Sequence, residues 1–135
     1  MKILIGCEES QKVTKAFREL GHEAWSCDLM PTRGVQEWHK NGDVVNWVTR
    51  GQWDLIILHP PCTALCWAGN GTYGRGKRQH WQRVRSVEWT CKLWNLAKNS
   101  CRIGAALENP TGVIWRYITD PAEAMAHQWG RYRYA

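Results

Sequence analysis

The run WDLIILHPPCTALCW (Trp53–Trp67) passes from an apolar strand pattern directly into two prolines and a cysteine. Proline fixes its own φ and has no backbone N–H to donate, so a strand ladder ends at Pro60–Pro61. The side chains that follow are delivered to a fixed place at the edge of the sheet. Cys62 arrives there either as an inert packing residue or as a nucleophile. Cys66, further along the same stretch, reads as a packing or loop residue.

The flanking sequence supplies the rest of a sheet. KILIGC (2–7) reads as a first strand, followed by a helix in SQKVTKAFRELG (10–21). Ser10 stands as its N-cap, Val13, Phe17 and Leu20 share one face, and Gly21 takes the C′ position. HEAWSCDL (22–29) predicts a second strand closing on Asp28, and NGDVVNWV (41–48) a third with Asp43 near its start. WDLIILH (53–59) is the fourth. TALCWAGNGTYGRGKRQ (63–79) reads as a mobile loop, and a helix is expected from about His80 to Cys101, carrying Trp81, Val84, Val87, Trp94 and Leu96. RIGAALENP (102–110) gives a fifth strand that breaks at Glu108-Asn109-Pro110, and a short helix is expected from Pro121. Strands separated by helices, with no hairpin turns, predict an α/β fold with a Rossmann-like, doubly wound, mostly parallel sheet. With 135 residues and no linker or repeat, it forms one domain spanning 1–135.

Composition narrows the setting. Hydrophobic residues make up 44% and charged residues 22%, which excludes a disordered chain. No apolar run approaches the ~20 residues of a membrane span. MKILIGCEES turns polar too soon for a signal peptide, so a cytoplasmic setting with reduced thiols is expected for the six cysteines. A net charge of +6 favours a polyanionic partner. Ten tryptophans beside a single phenylalanine suit either core packing or base stacking.

The positive charge is concentrated. Arg75, Lys77, Arg78, Arg83, Arg85, Lys92, Lys98 and Arg102 are opposed between Gly71 and Arg102 only by Glu88, with Trp81 and Trp89 interleaved. Arg75, Lys77, Arg78, Trp81, Arg83 and Arg85 are therefore the expected nucleic-acid contacts, the plainer reading being a solvated helix face. Two glycine patterns are chance matches. GNGTYG (69–74) follows the fourth strand instead of the first, and GTYGRGK (71–77) is followed by Arg78 where a magnesium-ligating Ser or Thr is required. Cys62 and Cys66, even with Cys7, Cys27 and His59, lack a second paired motif, so no metal site is expected.

The chemistry-bearing residues fall at strand ends: Gly6 to Glu9, Asp28, Cys62, and Glu108 with Asn109, with Asp43 close by. In parallel α/β sheets ligands bind beyond those ends. A carboxylate after the second strand suits ribose hydroxyls, and one near the third suits an adenine amino group. A thiol and a carboxylic acid then face one another across the switch point.

On these residues the chain resembles the cytosine-C5 DNA methyltransferase family, and within it short phage-type proteins with an HPPCT…LENP pair. Pro61-Cys62 matches the family's nucleophile motif, and Glu108-Asn109 its Glu-Asn motif. QWGRYR (128–133) is similar to a segment in which Gln and spaced arginines approach the substrate, here Gln128, Arg131 and Arg133. The resemblance implies S-adenosyl-L-methionine as cofactor, held by Gly6, Glu8, Asp28, Asp43 and Pro60. It implies Cys62, Glu108, Asn109 and Arg133 as catalytic residues, and DNA as partner, with RNA or a free nucleotide as alternatives. The sequence departs from the family at Thr63, where Gln is usual, and at Pro110, where Val is usual. Of the Gly-rich loop only Gly6 matches. The chain corresponds to the family's catalytic half, without its target-recognition domain.

A thiolate at Cys62 is suited to add to C6 of cytosine, and a buried, protonated Glu108 to stabilise the ring charge at N3. The base has to flip out of a duplex or arrive single-stranded. An amino-methyltransferase is a weaker match, because His59-Pro60-Pro61-Cys62 lacks the acid and the aromatic of that motif. The other alternative is a catalytically degenerate methyltransferase-like protein that binds nucleic acid, a nucleotide or a protein partner, such as a phage counter-defence factor.

Overall fold

Alternate residues of the first strand face two separate cores. Ile3 and Ile5 join Ala24, Val13, Phe17, Leu55 and Ile57, whereas Leu4 packs with Val44, Val48, Ile56, Leu58, Leu93 and Ala97 on the opposite side. A period of two with both faces apolar is the pattern of a strand covered above and below. The computed structural model describes residues 1–118. The helix expected from Pro121, and Gln128, Arg131 and Arg133, lie outside the described residues.

Five strands, β1 (Lys2–Gly6), β2 (Glu23–Asp28), β3 (His39–Asn41), β4 (Trp53–Leu58) and β5 (Cys101–Leu107), form one sheet in the order β3-β2-β1-β4-β5. Every pairing is parallel. Helix α1 (Lys12–Glu19) packs against β2 on one face, and α2 (Val44–Arg50) and α4 (His80–Ser100) pack together over the other. The arrangement is α/β and compatible with a Rossmann-like fold, with its switch point between β1 and β4. No described helix is long and apolar enough to cross a membrane.

Three local expectations are corrected. NGDVVNWV is not a strand: β3 ends on its first residue, Asn41, and Val44–Arg50 is α2. Asp43 accepts a hydrogen bond from Val45 N–H at 2.9 Å as N-cap, and Val44 and Val48, one turn apart, are buried. The cap and the packing override the strand preference of the β-branched residues.

Ser10 does not cap α1 and is exposed. The N-cap position is Gln11, in the left-handed region with φ 58°, a conformation costing a non-glycine residue about 1–2 kcal/mol. Its fully buried side chain is tied down on both ends. Nε2 donates to Ser26 Oγ at 3.0 Å and to the Val35 carbonyl at 2.8 Å, and Oε1 accepts from Val35 N–H at 2.6 Å.

The stretch 63–79 is not an open loop. It holds a 3-10 turn at Trp67–Gly69 and a one-turn helix α3 (Asn70–Tyr73), and Cys66 forms an antiparallel bridge with Gly112. Arg83, only 6% exposed, bolts this segment to α4. Its guanidinium donates to the Ala64 carbonyl at 2.7 Å, Asn70 Oδ1 at 2.7 Å and the Cys66 carbonyl at 3.2 Å.

Arg83→Met should lower the unfolding free energy by about 2–3 kcal/mol, because the buried acceptors lose a charged donor. Urea denaturation measures this, and a loss below about 0.5 kcal/mol, the level of an ordinary surface substitution, would contradict the bolt.

Candidate active site at the carboxyl ends of the strands

The ladders on both sides of β4 stop at the same level. His59 N–H still reaches the Gly6 carbonyl and Glu108 N–H the Leu58 carbonyl, each at 2.9 Å. Pro60 and Pro61 then have no N–H to donate. The Pro60 carbonyl is taken instead by Asn109 Nδ2 at 3.0 Å, with Asn109 buried. Beyond this clamp the Cys62 carbonyl accepts from Leu65 N–H at 2.8 Å and Cys66 N–H at 2.9 Å, closing a turn that leaves the Cys62 side chain half-buried. The chain after β5 pins the same turn through Val113 N–H to the Leu65 carbonyl at 2.8 Å.

Cys62, Glu108 and Asn109 thus follow neighbouring strands. The expectation that thiol and acid face each other across the switch point is corrected: both lie on the β4–β5 side of it. The expected burial of Glu108 is also corrected, since its side chain is 65% exposed. His59, which sequence reasoning weighed as a metal ligand and within an amino-methyltransferase motif, stands beside it, with Nδ1 3.4 Å from Glu108 Oε2. Its place directly before the prolines was the signal available. Two buried polar atoms here, His59 Nε2 and Asn109 Oδ1, have no partner among the described residues. Buried polar atoms normally find one, so these suit a polar ligand or water.

The β1–β3 half divides into residues used by the fold and residues left free. Glu8 does not face a ligand. Its buried carboxylate accepts from Val13 N–H at 2.6 Å, Thr14 N–H at 3.2 Å and Thr14 Oγ1 at 2.7 Å, filling the N-terminus of α1. Gly6 is required by packing: a Cβ there would lie 2.7 Å from Val44 Cγ2 and 2.8 Å from Leu58 Cδ2. The assignment of Glu8 to the cofactor is therefore corrected, and Gly6 is a close-packing position. Asp28 and Asp43 are brought close, for Gly42 N–H donates to the Asp28 carbonyl at 2.9 Å and Asp28 pairs with Asn41 across β2 and β3. Burial first, then these carboxylates, pushes Cys7 up to about 12. Cys27 is likewise pushed up to about 12, by burial and then by Cys7, Asp28 and Asp43.

Asp28 Oδ1 accepts from Met30 N–H and Asp43 Oδ1 from Val45 N–H, each at 2.9 Å. Each second oxygen has no protein partner among the described residues. Leu29 and Met30, just past Asp28, are exposed apolar side chains that sequence reasoning missed. The two unpartnered carboxylate oxygens are free to accept hydrogen bonds from the hydroxyl or amino groups of a ligand.

On the basic surface Arg75, Lys77, Arg78, Trp81 and Arg85 are all exposed, with the Arg85 guanidinium 5.8 Å from the Trp81 ring centroid. Arg83 is the exception and is withdrawn from the contact set, since its guanidinium is occupied internally. Among the described residues no three His, Cys, Asp or Glu side chains gather as a metal site. Comparison with protein-family models, curated proteins and solved structures returns no match.

At pH 8, iodoacetamide should label Cys62 and Cys66 well before Cys7 and Cys27. The rise from 9.0 to about 12 cuts the thiolate of Cys7 and Cys27 about a thousandfold. Peptide mass mapping reads this, and Cys7 labelling as fast as Cys62 would contradict it.

Proposed function

We propose that this chain transfers a methyl group from S-adenosylmethionine to C5 of cytosine in DNA, through a covalent adduct at Cys62. The observation that carries the reading is the placement of Cys62 and Glu108-Asn109 just past two neighbouring parallel strands. They are clamped by the Asn109–Pro60 hydrogen bond, and the Asp28–Asp43 cluster lies past β2 and β3, across β1 at the same sheet end.

Asp28 would hold the ribose and Asp43 the adenine amino group. When bound, S-adenosylmethionine supplies the electrophilic methyl group that an electron-rich C5 takes. The chain's own residues create that electron-rich carbon. Cys62 Sγ, as the thiolate, bonds to C6, and the displaced electron pair moves into the ring as N3 takes a proton from solvent and shares it with the Glu108 carboxylate. Glu108's exposure leaves room for the ring, and His59 at 3.4 Å orients the carboxylate. Water takes the C5 proton, the freed C–H electron pair restores the C5–C6 double bond and expels Sγ as thiolate, and N3 gives its proton back to solvent through Glu108. The target base reaches Sγ only when unstacked.

A specific observation favours a second reading, a methyltransferase-like protein that binds without turnover. The side of the site nearest β1 is given over to the fold, with Glu8 capping α1 and the space at Gly6 filled by Val44 and Leu58.

The test is trapping. DNA containing 5-fluorocytosine should form a covalent complex in the presence of cofactor, because fluorine cannot leave as the C5 proton does. Cys62→Ser should abolish the complex, Glu108→Gln should slow its formation by about a hundredfold or more, and Cys66→Ala should trap like wild type. Cofactor binding without any adduct would support the second reading. An adduct that persists in Cys62→Ser would reject Cys62 as the nucleophile.

A further inference from the structure

A groove of about 840 Å³ runs along α4, beside the turn that follows Cys62 but not lined by Cys62 or Glu108. Its walls are Trp67, Val84, Val87 and Tyr117, and Arg75 and Arg116 stand at its margin. Trp67 is 39% and Tyr117 60% exposed, and no described residue fully covers either ring. The Arg116 guanidinium lies 5.1 Å from the Trp67 ring centroid, so cation and ring form one unit.

The electrostatics select the occupant. Arg83 brings a buried positive charge to the floor, and its three partners there are neutral oxygens. Against Arg75, Arg83 and Arg116 the groove sets only Glu88, and among the described residues none of these four forms an ion pair. The groove is therefore cationic with aromatic walls. Lys77, Arg78 and Arg85, neighbours of the lining residues in sequence, are exposed as well.

We infer that this groove binds an unpaired stretch of nucleic acid, with bases against the Trp67 and Tyr117 rings and phosphates at Arg75 and Arg116. A duplex keeps its base faces stacked inside and could use only the charges, whereas unstacked bases use both charges and rings. The inference deepens the nucleic-acid reading above and rests on it. It makes the single-stranded region next to the target base the part that is recognised.

The experiment is fluorescence anisotropy with a short fluorescein-labelled oligothymidylate, the matching oligouridylate and a duplex of the same length, without cofactor. The double variant Trp67→Ala/Tyr117→Ala should weaken single-strand binding by about tenfold or more, while Trp67→Phe/Tyr117→Phe stays within about threefold of wild type. Both side chains are exposed, and thermal melts matching wild type verify folding. Heparin and polyglutamate, which offer charge without bases, should bind the alanine variant as they bind wild type and should weaken with Arg75→Ala/Arg116→Ala. Preference between oligothymidylate and oligouridylate distinguishes DNA from RNA, and either supports the groove. Unchanged single-strand binding in the alanine variant, or an equal loss for polyglutamate, overturns it. So does tighter, ring-dependent binding of the duplex. Cys62→Ser should bind as wild type, so a failure of methyl transfer and a failure of the groove are read separately. Unchanged oligonucleotide binding in Arg75→Ala/Arg116→Ala would overturn the phosphate assignment.

Discussion

The architecture turns on a backbone constraint at Pro60-Pro61. β4 is hydrogen-bonded on both sides, to β1 and to β5, and two successive residues without an N–H end both ladders together. The chain must then leave the sheet, and the carbonyl it exposes at Pro60 is captured by Asn109 from the neighbouring strand. That capture ties the Cys62 turn to the Glu108-Asn109 corner, so the proposed nucleophile and acid rest on one frame. The bridge from Cys66 to Gly112 and the Arg83 bolt extend the frame to α4. Chemistry needs such positioning, since a misplacement of about 1 Å can cost a hundredfold in rate.

The cysteines illustrate how placement divides one residue type into roles. Cys7 and Cys27 sit beside the Asp28–Asp43 cluster, where burial and negative charge both hold a thiol protonated. Cys62 stands half-buried beyond the far side of the switch point, on a turn that begins at its own carbonyl. A carboxylate cluster suppresses thiolate formation, so the separation of Asp28 and Asp43 from Cys62 is consistent with the proposed role of that thiol.

The parallel sheet was legible in the sequence because β1, β2, β4 and β5 are apolar runs punctuated by Gly, Asp, Pro-Pro and Glu-Asn-Pro. The placement of Cys62 and Glu108-Asn109 past neighbouring strands was legible for the same reason: two prolines hold Cys62 just beyond one such run, and Glu108-Asn109 follow another directly. The errors arose where long-range contacts decide. Val44-Val45 looks like a strand by propensity and becomes a helix through Asp43 capping and core packing. Glu8 looks like a ligand by position, yet it satisfies the first turn of α1, which lacks the Ser10 cap. Arg83 resembles its basic neighbours in sequence, and only the fold of 63–79 around it reveals a buried bolt. His59, Trp67 and Tyr117 gain meaning from neighbours distant in the chain, which no local pattern contains.

The most direct test of the central claim is transfer of a tritiated methyl group from S-adenosylmethionine, with the acceptors duplex DNA, single-stranded DNA, RNA and free nucleotides, followed by nucleoside analysis. The account predicts label in 5-methylcytosine from a DNA acceptor, and none with Cys62→Ser. Label on an exocyclic amino group, or an equal yield of 5-methylcytosine from Cys62→Ser, would contradict it.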